Sequence, residues 1–458
     1  MIPFGLLGGF CDHLEIRITG LSEKGFSFRV PEKIEKAACL EICFFDFSAD
    51  CYRKVQLAEK EREMKLTEET PFFFIYSVWT KNGEYREQVK RLVTDYDNYI
   101  SLKLAGDDAY LSEKMVGYPA ELDEVYAESF EEQKKEWFSC VGDGIQECRN
   151  TWEHKKWNIT DFPEFELAIT IDRPELYYDF LQKDWTRFCH DYWKNNFLEH
   201  HTLSQKRVTR IYIGNQFCHN LFPKKKLLFQ VLEKALENNL AVTLAFSYIR
   251  NHLLEEIDEL LQELEVWCQS REKEAGKDQE EIIVNDWAMP ILLQGKPHLK
   301  PVLGVLLNKR RKDVRLPYKH GIGNHVDSLA ENNLNCGFYQ DYLKNTFDIQ
   351  RFEFESCGYK VTIPDGHHSL HLPFFQTNTS QYCTLYAVCR YGDRGKQKLP
   401  ENCPRYCNKK VFLYPKHLKM VGRYNSLFGY DEKILWDEKQ LQDYLEQGID
   451  RIVVNVSL

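Results

Sequence analysis

The segment RIYIGNQFCHN, residues 210–220, decides the fold of the larger part of this chain. The apolar stretch at 208–213 has the composition of a buried β-strand, and the loop after it carries Cys218. Apolar residues then recur at helical spacing, at Leu228, Val231, Leu232, Ala235 and Leu236. A strand, a loop and an amphipathic helix in this order predict a βα unit, the building block of parallel sheets.

The same order of elements recurs between residues 163 and 458. Periodicity predicts further strands at 167–171, 240–245, 281–284, 351–354 and 452–456. It predicts helices at 252–268, 298–307 and 337–345. This count favours a TIM-like (β/α) barrel over an open two-sided sheet. Functional groups are then expected at the carboxyl ends of the barrel strands.

The residues before the barrel have a different pattern. Short β-rich segments separated by turns predict strands at 14–18, 25–30, 39–45 and 72–78. We therefore expect a multidomain α/β protein: a small antiparallel β-barrel at 1–118, a helical linker at 119–162, and the TIM-like barrel at 163–458 with a cysteine-rich C-terminal insertion.

Length and charge restrict the class of protein. The chain has 458 residues and a formal net charge of −10, which favours more than one core and disfavours a surface that coats nucleic acid. The basic runs at 224–226 and 309–312 are expected to lie on solvated surfaces. No apolar stretch has membrane length and no secretory signal is recognisable, so we expect a cytoplasmic protein without a membrane partner.

Four cysteines near the C-terminus form the strongest chemical motif. Cys383, Cys389, Cys403 and Cys407 follow the pattern Cys-x5-Cys-x13-Cys-x3-Cys. In a reducing compartment the 15 cysteines of this chain are not expected to form structural disulfides, which favours metal binding. Sulfur-only ligation suits zinc or an iron-sulfur cluster, and the paired Cys-x2-Cys knuckles usual for structural zinc do not occur in the sequence.

Other polar residues are weaker candidates. His367 and His371 stand four residues apart near a turn and are expected to be hydrogen-bonded or to contribute to a pocket. Asp286 ends a predicted strand and is expected to cap the next helix. Glu353 and Glu355 are expected to face the same way on a strand, where they could line the pocket.

Several separate stretches resemble one known family. They are IYIGNQFC at 211–218, EIIVNDW at 281–287, LLNKRRKDVR at 306–315, DIQRFEF at 348–354, TNTSQYC at 377–383 and CPRYC at 403–407. Over about 165–425 the chain is similar to the U-thirty-two (collagenase-like) peptidase family. Within that family it resembles the iron-sulfur members that serve in hydroxylation of ubiquinone precursors or of tRNA.

This resemblance implies a 4Fe-4S cluster near the mouth of the barrel. It implies Cys383, Cys403 and Cys407 as ligands, with Cys218 or Cys389 as the fourth, and zinc remains the alternative metal. The motif of the peptidase branch does not occur at 371–380, so classical peptidase activity is not expected. The expected activity is modification chemistry, such as hydroxylation of RNA or of a small precursor, and the sequence identifies no catalytic residue.

The N-terminal stretch ITGLSEKGFSFR, at 18–29, resembles a PilZ domain, the bacterial receptor module for cyclic di-GMP, over roughly 10–115. Ser22 and Gly25 match the turn of that family, and Arg17 and Arg29 are the nearby guanidinium groups. Gly20 stands at the acidic or amide position of the motif and no Arg-x3-Arg element precedes it, so the domain is degenerate. The alternative function is a non-catalytic effector that binds a cyclic dinucleotide or a protein partner and carries a structural metal site.

Overall fold

The computed structural model describes residues 6–104, 125–138, 162–275, 280–312 and 330–457, apart from 13, 35–36, 47–48, 50, 71, 128–129, 394–395, 397, 401 and 415–418. These residues form two compact units, one built mainly from residues before Val125 and one mainly from Val125 onward. The predicted boundary at residue 118 lies outside the described residues.

The N-terminal unit is an antiparallel sheet with one helix. Its strands are β1 (Leu7–Cys11), β2 (Leu14–Ser22), β3 (Gly25–Val30), β4 (Leu40–Asp46), β5 (Cys51–Leu57), β6 (Arg62–Glu69) and β7 (Phe74–Thr80), and its helix is α1 (Gly83–Leu104). They pair in the order β5-β4-β1-β2-β3-β7-β6. Gly25, at the start of β3, has a φ of +156°, and a Cβ there would lie 1.9 Å from the Val78 carbonyl oxygen. This position therefore requires glycine. The predicted antiparallel sheet is confirmed, although β1, β5 and β6 were not predicted. Among the described residues β5 does not pair with β6, so closure of this sheet into a barrel is not observed.

The second unit contains a nearly closed parallel barrel. Its strands are β9 (Glu166–Ile171), β10 (Arg210–Gly214), β11 (Ala241–Ala245), β12 (Glu280–Val284), β13 (Leu299–Leu303), β14 (Glu353–Glu355), β15 (His368–Leu372) and β20 (Ile449–Val454). Consecutive strands pair in parallel, and β20 pairs with β9. A parallel bridge between Leu303 and Phe352 joins β13 to the strand that follows it. The predicted TIM-like barrel is confirmed.

Helices connect the barrel strands. They are α3 (Pro174–Gln182), α4 (Trp185–Asn195), α5 (Lys225–Glu237), α6 (Leu254–Ala275), α7 (Ala288–Leu292), α8 (Gly337–Phe347) and α10 (Glu438–Glu446). The apolar face predicted for α5 is buried at Leu228, Val231, Leu232 and Ala235. That burial is the reason why the 3.6-residue period is visible in the sequence.

An insertion separates the last two barrel strands. It contains β16 (Phe374–Thr379), α9 (Thr384–Tyr391), β17 (Val411–Leu413), β18 (Met420–Arg423) and β19 (Ser426–Tyr430). These strands form an antiparallel sheet in the order β16-β19-β18-β17-β8, where β8 is Val125–Ala127. Within the predicted linker, the described residues therefore supply a strand of this sheet and the helix α2 (Glu131–Phe138).

Two local predictions are wrong. The helix predicted at 298–307 is instead strand β13, which pairs in parallel with β12, because Pro301 lacks the N–H that a helix interior needs. The basic run at 309–312 is not fully solvated. The side chain of Lys312 is only 7% exposed and forms an ion pair with Glu355, and Arg310 donates a hydrogen bond of 2.7 Å to the Cys357 sulfur.

Candidate metal centre and barrel mouth

Four of the five predicted cysteines line one pocket at the carboxyl end of the barrel strands. They are Cys218, Cys383, Cys403 and Cys407. The empty space of this pocket, including its opening to solvent, is about 480 Å³. Cys389 lies within α9 and is not among the residues that line the pocket. Thus the loop after β10 and the insertion bring thiols from distant parts of the sequence together.

The position of Cys218 is set by the loop that follows β10. The Asn215 side-chain oxygen accepts hydrogen bonds of 2.9 Å from the backbone N–H groups of Phe217 and Cys218, and so holds the turn. Asn220 directs its backbone N–H and its side-chain amide toward the Cys218 sulfur. Such N–H donors stabilise negative charge on a ligand sulfur.

Cys383 occupies the N-cap position of α9. Its sulfur accepts a hydrogen bond of 3.3 Å from the backbone N–H of Tyr386 and lies 2.9 Å from the Tyr424 carbonyl oxygen, to which the thiol donates. The N-terminus of a helix favours a thiolate over a thiol because of its partial positive charge. The backbone around Cys383 is therefore suited to a ligand sulfur.

Two arginines hold the segment that carries Cys403 and Cys407. Arg405 has a φ of +56°, and its Nε donates a hydrogen bond of 3.1 Å to the Asn220 carbonyl oxygen in the Cys218 loop. Arg423 Nε donates one of 3.1 Å to the Cys407 carbonyl oxygen. Arg405 thus joins the two parts of the chain that supply the thiols.

Burial governs the protonation of these cysteines. Removal from water raises the pKa of Cys218 to about 11 and that of Cys383 to about 12, and it also raises the pKa of Cys407. Neighbouring thiols raise the pKa of each of the three further. Without a metal these groups are neutral thiols at pH 7, and a metal would displace their protons on binding.

Thiols are the donor type that zinc and iron-sulfur clusters use, but the placement of the four side chains does not by itself form an ion site. As the side chains are placed, the described residues contain no set of three or more His, Cys, Asp or Glu that could hold a metal ion. The thiols share a pocket without forming a compact tetrahedral site. A polar atom at this pocket also lacks a partner, because the Nε of Arg250 is buried without a hydrogen bond.

A second cavity lies at the mouth of the barrel. Asp172, Tyr212, Glu355, His371 and Tyr424 are among its lining residues. Of the two carboxylates predicted to line a pocket, Glu355 lines this cavity and Glu353 is not among its lining residues.

The two candidate histidines and Asp286 lie in three different environments. His371 points into the barrel, whereas His367 is exposed and lies 2.9 Å from Asp450. Asp286 accepts hydrogen bonds from the backbone N–H groups of Ala288 and Met289 at the start of α7, as a cap does.

A layer of charged residues inside the barrel was not predicted. Arg451 donates two hydrogen bonds to Glu281, of 2.6 and 3.0 Å, and a third of 2.6 Å to Glu166. Arg210 lies 2.9 Å from Glu166 and 3.3 Å from Glu281. Four charges are thereby paired in the barrel interior.

The residues of the PilZ resemblance lie on one hairpin. Arg17 and Arg29 are directly opposite each other on β2 and β3. The Ser22 hydroxyl donates a hydrogen bond of 3.0 Å to the Gly25 carbonyl oxygen and so closes the turn. Arg29 lies over the Phe73 ring at 5.1 Å. Two guanidinium groups therefore share one face of this hairpin.

Among the helices of the described residues, none combines the length and the apolar character needed to cross a membrane. Comparison of the chain with protein families, with curated proteins and with solved structures finds no match.

Proposed function

We propose that this protein binds a 4Fe-4S cluster through Cys218, Cys383, Cys403 and Cys407 and serves in modification chemistry, such as hydroxylation of RNA or of a small precursor. The observation that carries the proposal is the shared pocket of these four thiols at the barrel mouth. When bound, the cluster would supply electron transfer at that mouth. The proposal includes membership of the iron-sulfur branch of the U-thirty-two family.

The arrangement supports a cluster better than a single zinc ion. A tetrahedral zinc ion with bonds of about 2.3 Å requires four sulfurs within about 4 Å of one another. A 4Fe-4S cluster spreads its thiolates over four irons and suits a wider pocket. The described thiols share a pocket but form no compact ion site, which agrees with the wider arrangement. Cys218 is preferred to Cys389 as the proposed fourth ligand, because Cys218 lines the pocket and Cys389 does not.

The surroundings of the cysteines favour RNA as the substrate. Residues 382–410 contain seven Lys or Arg, two Asp or Glu and four Tyr, whereas the whole chain has a net charge of −10. Tyr386 and Tyr406 line the pocket with ring centres 6.2 Å apart. Basic groups attract phosphates, and tyrosine rings stack on unpaired bases.

Iron analysis tests the metal proposal. Anaerobically purified protein is expected to be brown, with absorbance at about 400 nm and about four irons and four sulfides per chain. Cys218→Ser, Cys383→Ser, Cys403→Ser and Cys407→Ser are each expected to lose most of the iron. The matched control is Cys389→Ser, which removes a thiol of the same insertion and should keep the full iron content. Colourless protein that contains zinc, or iron loss in Cys389→Ser equal to that in Cys218→Ser, would refute the ligand set.

RNA binding is tested with a single-stranded oligonucleotide. We expect binding that weakens steeply as salt rises, because phosphate contacts release counterions. Tyr386→Ala is expected to weaken binding roughly tenfold through lost stacking. Tyr178→Ala serves as the control because Tyr178 is 53% exposed on α3 and does not line the pocket. Equal affinity of both variants would leave a small precursor as the substrate.

The second candidate function is an effector role of the N-terminal unit, which we propose to be a degenerate PilZ domain. It is supported by the opposed pair Arg17 and Arg29, because forked guanidinium donors can clamp guanine or phosphate. Titration with cyclic di-GMP is the test. Saturable binding that is lost in Arg17→Ala would support nucleotide recognition, and its absence would leave only a protein-docking role for this unit.

A further inference from the structure

The imidazole of His371 stands between a buried carboxylate and the cavity at the barrel mouth. Its Nε2 forms a hydrogen bond with Glu353, whose side chain is fully buried. Its Nδ1 has no hydrogen-bond partner among the described residues, although the residue lines the cavity. A histidine with one nitrogen fixed by a carboxylate and the other facing a cavity has the arrangement of an oriented general base.

The surroundings keep Glu353 ionised. Burial alone would raise the pKa of Glu353, but the hydrogen bond from His371 and the nearby Arg451 outweigh burial and lower it. The Tyr212 hydroxyl donates to Glu353 at 3.0 Å. The Arg451 guanidinium in turn donates to the Tyr212 hydroxyl at 3.2 Å. The carboxylate can therefore hold the proton on Nε2 and leave Nδ1 as the reactive nitrogen.

The cavity offers acceptors rather than cations. Among its described lining residues there is no lysine and no arginine, whereas Asp172 and Glu355 present carboxylates. Lys312 pairs with Glu355 from outside the lining. Asp172 accepts from the hydroxyls of Ser457 at 3.2 Å and of Tyr424 at 3.4 Å. Such a lining suits a ligand that donates hydrogen bonds and disfavours an anion.

We propose that the cavity lined by Asp172, Glu355 and His371 is an acid–base site. It takes a small molecule that presents hydroxyl or amino groups. His371 Nδ1 accepts a proton from the O–H or N–H of that molecule, which keeps the electron pair, while Nε2–H stays bonded to Glu353. Glu353 is a positioning residue. This cavity is a different one from the cysteine pocket, and none of the proposed cluster ligands lines it.

Chemical modification with diethyl pyrocarbonate tests the site without a known substrate. The reagent acylates an accessible imidazole nitrogen, and peptide mass spectrometry identifies the modified histidine. His368 is the matched control because it lies on the same strand and is equally buried, but its ring stacks on Phe352 and does not line the cavity. We expect modification of His371 and none of His368. Glycerol, which carries three hydroxyl groups and no amine that would consume the reagent, should abolish modification of His371, and acetate should not.

A binding measurement complements the modification. Tris, which carries one amino and three hydroxyl groups, should raise the thermal midpoint of the wild type and of His368→Asn, but not that of His371→Asn, because a ligand stabilises only the state that binds it. Should His371→Asn fail to fold, protection of the wild type from the reagent by glycerol still decides. His371 as unreactive as His368, or equal protection by acetate, would overturn the proposal. Neither readout measures iron, so its failure is distinct from failure of the cluster proposal.

Discussion

Replacing Glu281 by glutamine is expected to change how the stability of the barrel depends on pH. Glu281 is bound by both terminal nitrogens of Arg451, and Arg210 lies 3.3 Å away. Burial would raise the pKa of Glu281, but these two guanidinium groups outweigh it and lower the pKa from 4.5 to about 2. The charged form of this carboxyl is therefore favoured by the folded barrel.

The size of the expected change in stability follows from the pKa shift of Glu281. A drop from 4.5 to about 2 corresponds to roughly 3 kcal/mol in the free energy of unfolding. Because the unfolded chain takes up this proton at higher pH than the folded chain, the stabilisation is fully present above pH 4.5 and is lost as the pH falls toward about 2. Glu281→Gln should be less stable at neutral pH by about 3 kcal/mol and should lack this acid-side loss.

Urea denaturation followed by tryptophan fluorescence measures the effect, since eight of the nine tryptophans lie after residue 125. The control is Glu280→Gln on the same strand. Glu280 pairs with Arg271, and burial raises its pKa, so its contribution has the opposite sign on acidification. An acid-side loss in Glu281→Gln as large as that of the wild type would refute the reasoning.

Two further predictions concern other parts of the second unit. Burial lowers the pKa of His201 from 6.5 to about 4. The unfolded chain therefore takes up this proton at higher pH than the folded chain, so the stability that is present above pH 6.5 should be lost as the pH falls from 6.5 to about 4. In urea denaturation His201→Asn should show a shallower slope over that interval than the wild type, and an unchanged slope would contradict this assignment. Arg405→Ala should lower iron retention after gel filtration by releasing the Cys218 loop, and it should change the unfolding free energy by less than about 1 kcal/mol. Full iron retention in Arg405→Ala would show that its bond to Asn220 does not hold the centre together.

The predictable part of the fold is the part in which burial leaves either a helical period or a continuous apolar run in the sequence. The run at 281–284 was predicted as a strand because Ile282, Ile283 and Val284 form a continuous apolar stretch, and it is β12. The next strand was missed because Lys300 and Pro301 interrupt its apolar run. In that strand Pro301 is tolerated because β13 forms a ladder only with β12, whereas on its other side the described residues form only the bridge at Leu303, a tertiary arrangement that the local sequence does not contain.

The site was only partly predictable for a related reason. Spacing alone identifies the C-terminal cysteines, but it cannot say that Cys218 rather than Cys389 shares their pocket, because that depends on closure of the barrel. The charged interior layer does have a signal in the sequence. Glu166 and Arg210 each stand at the first position of a barrel strand, and Glu281 and Arg451 stand near the start of theirs, so all four occur at the amino ends of strands.

One strained residue connects the two cavities. Tyr424 begins the two-residue turn between β18 and β19 with a φ of +58°, a conformation that glycine adopts without cost and that costs other residues about 1–3 kcal/mol. Glycine there would lose the phenol, which donates to Asp172 in the barrel mouth. The carbonyl oxygen of the same residue accepts from the Cys383 thiol. Because the backbone contact needs no tyrosine, the strain is explained by the side chain, which makes Tyr424 a shared wall of the cysteine pocket and the His371 cavity.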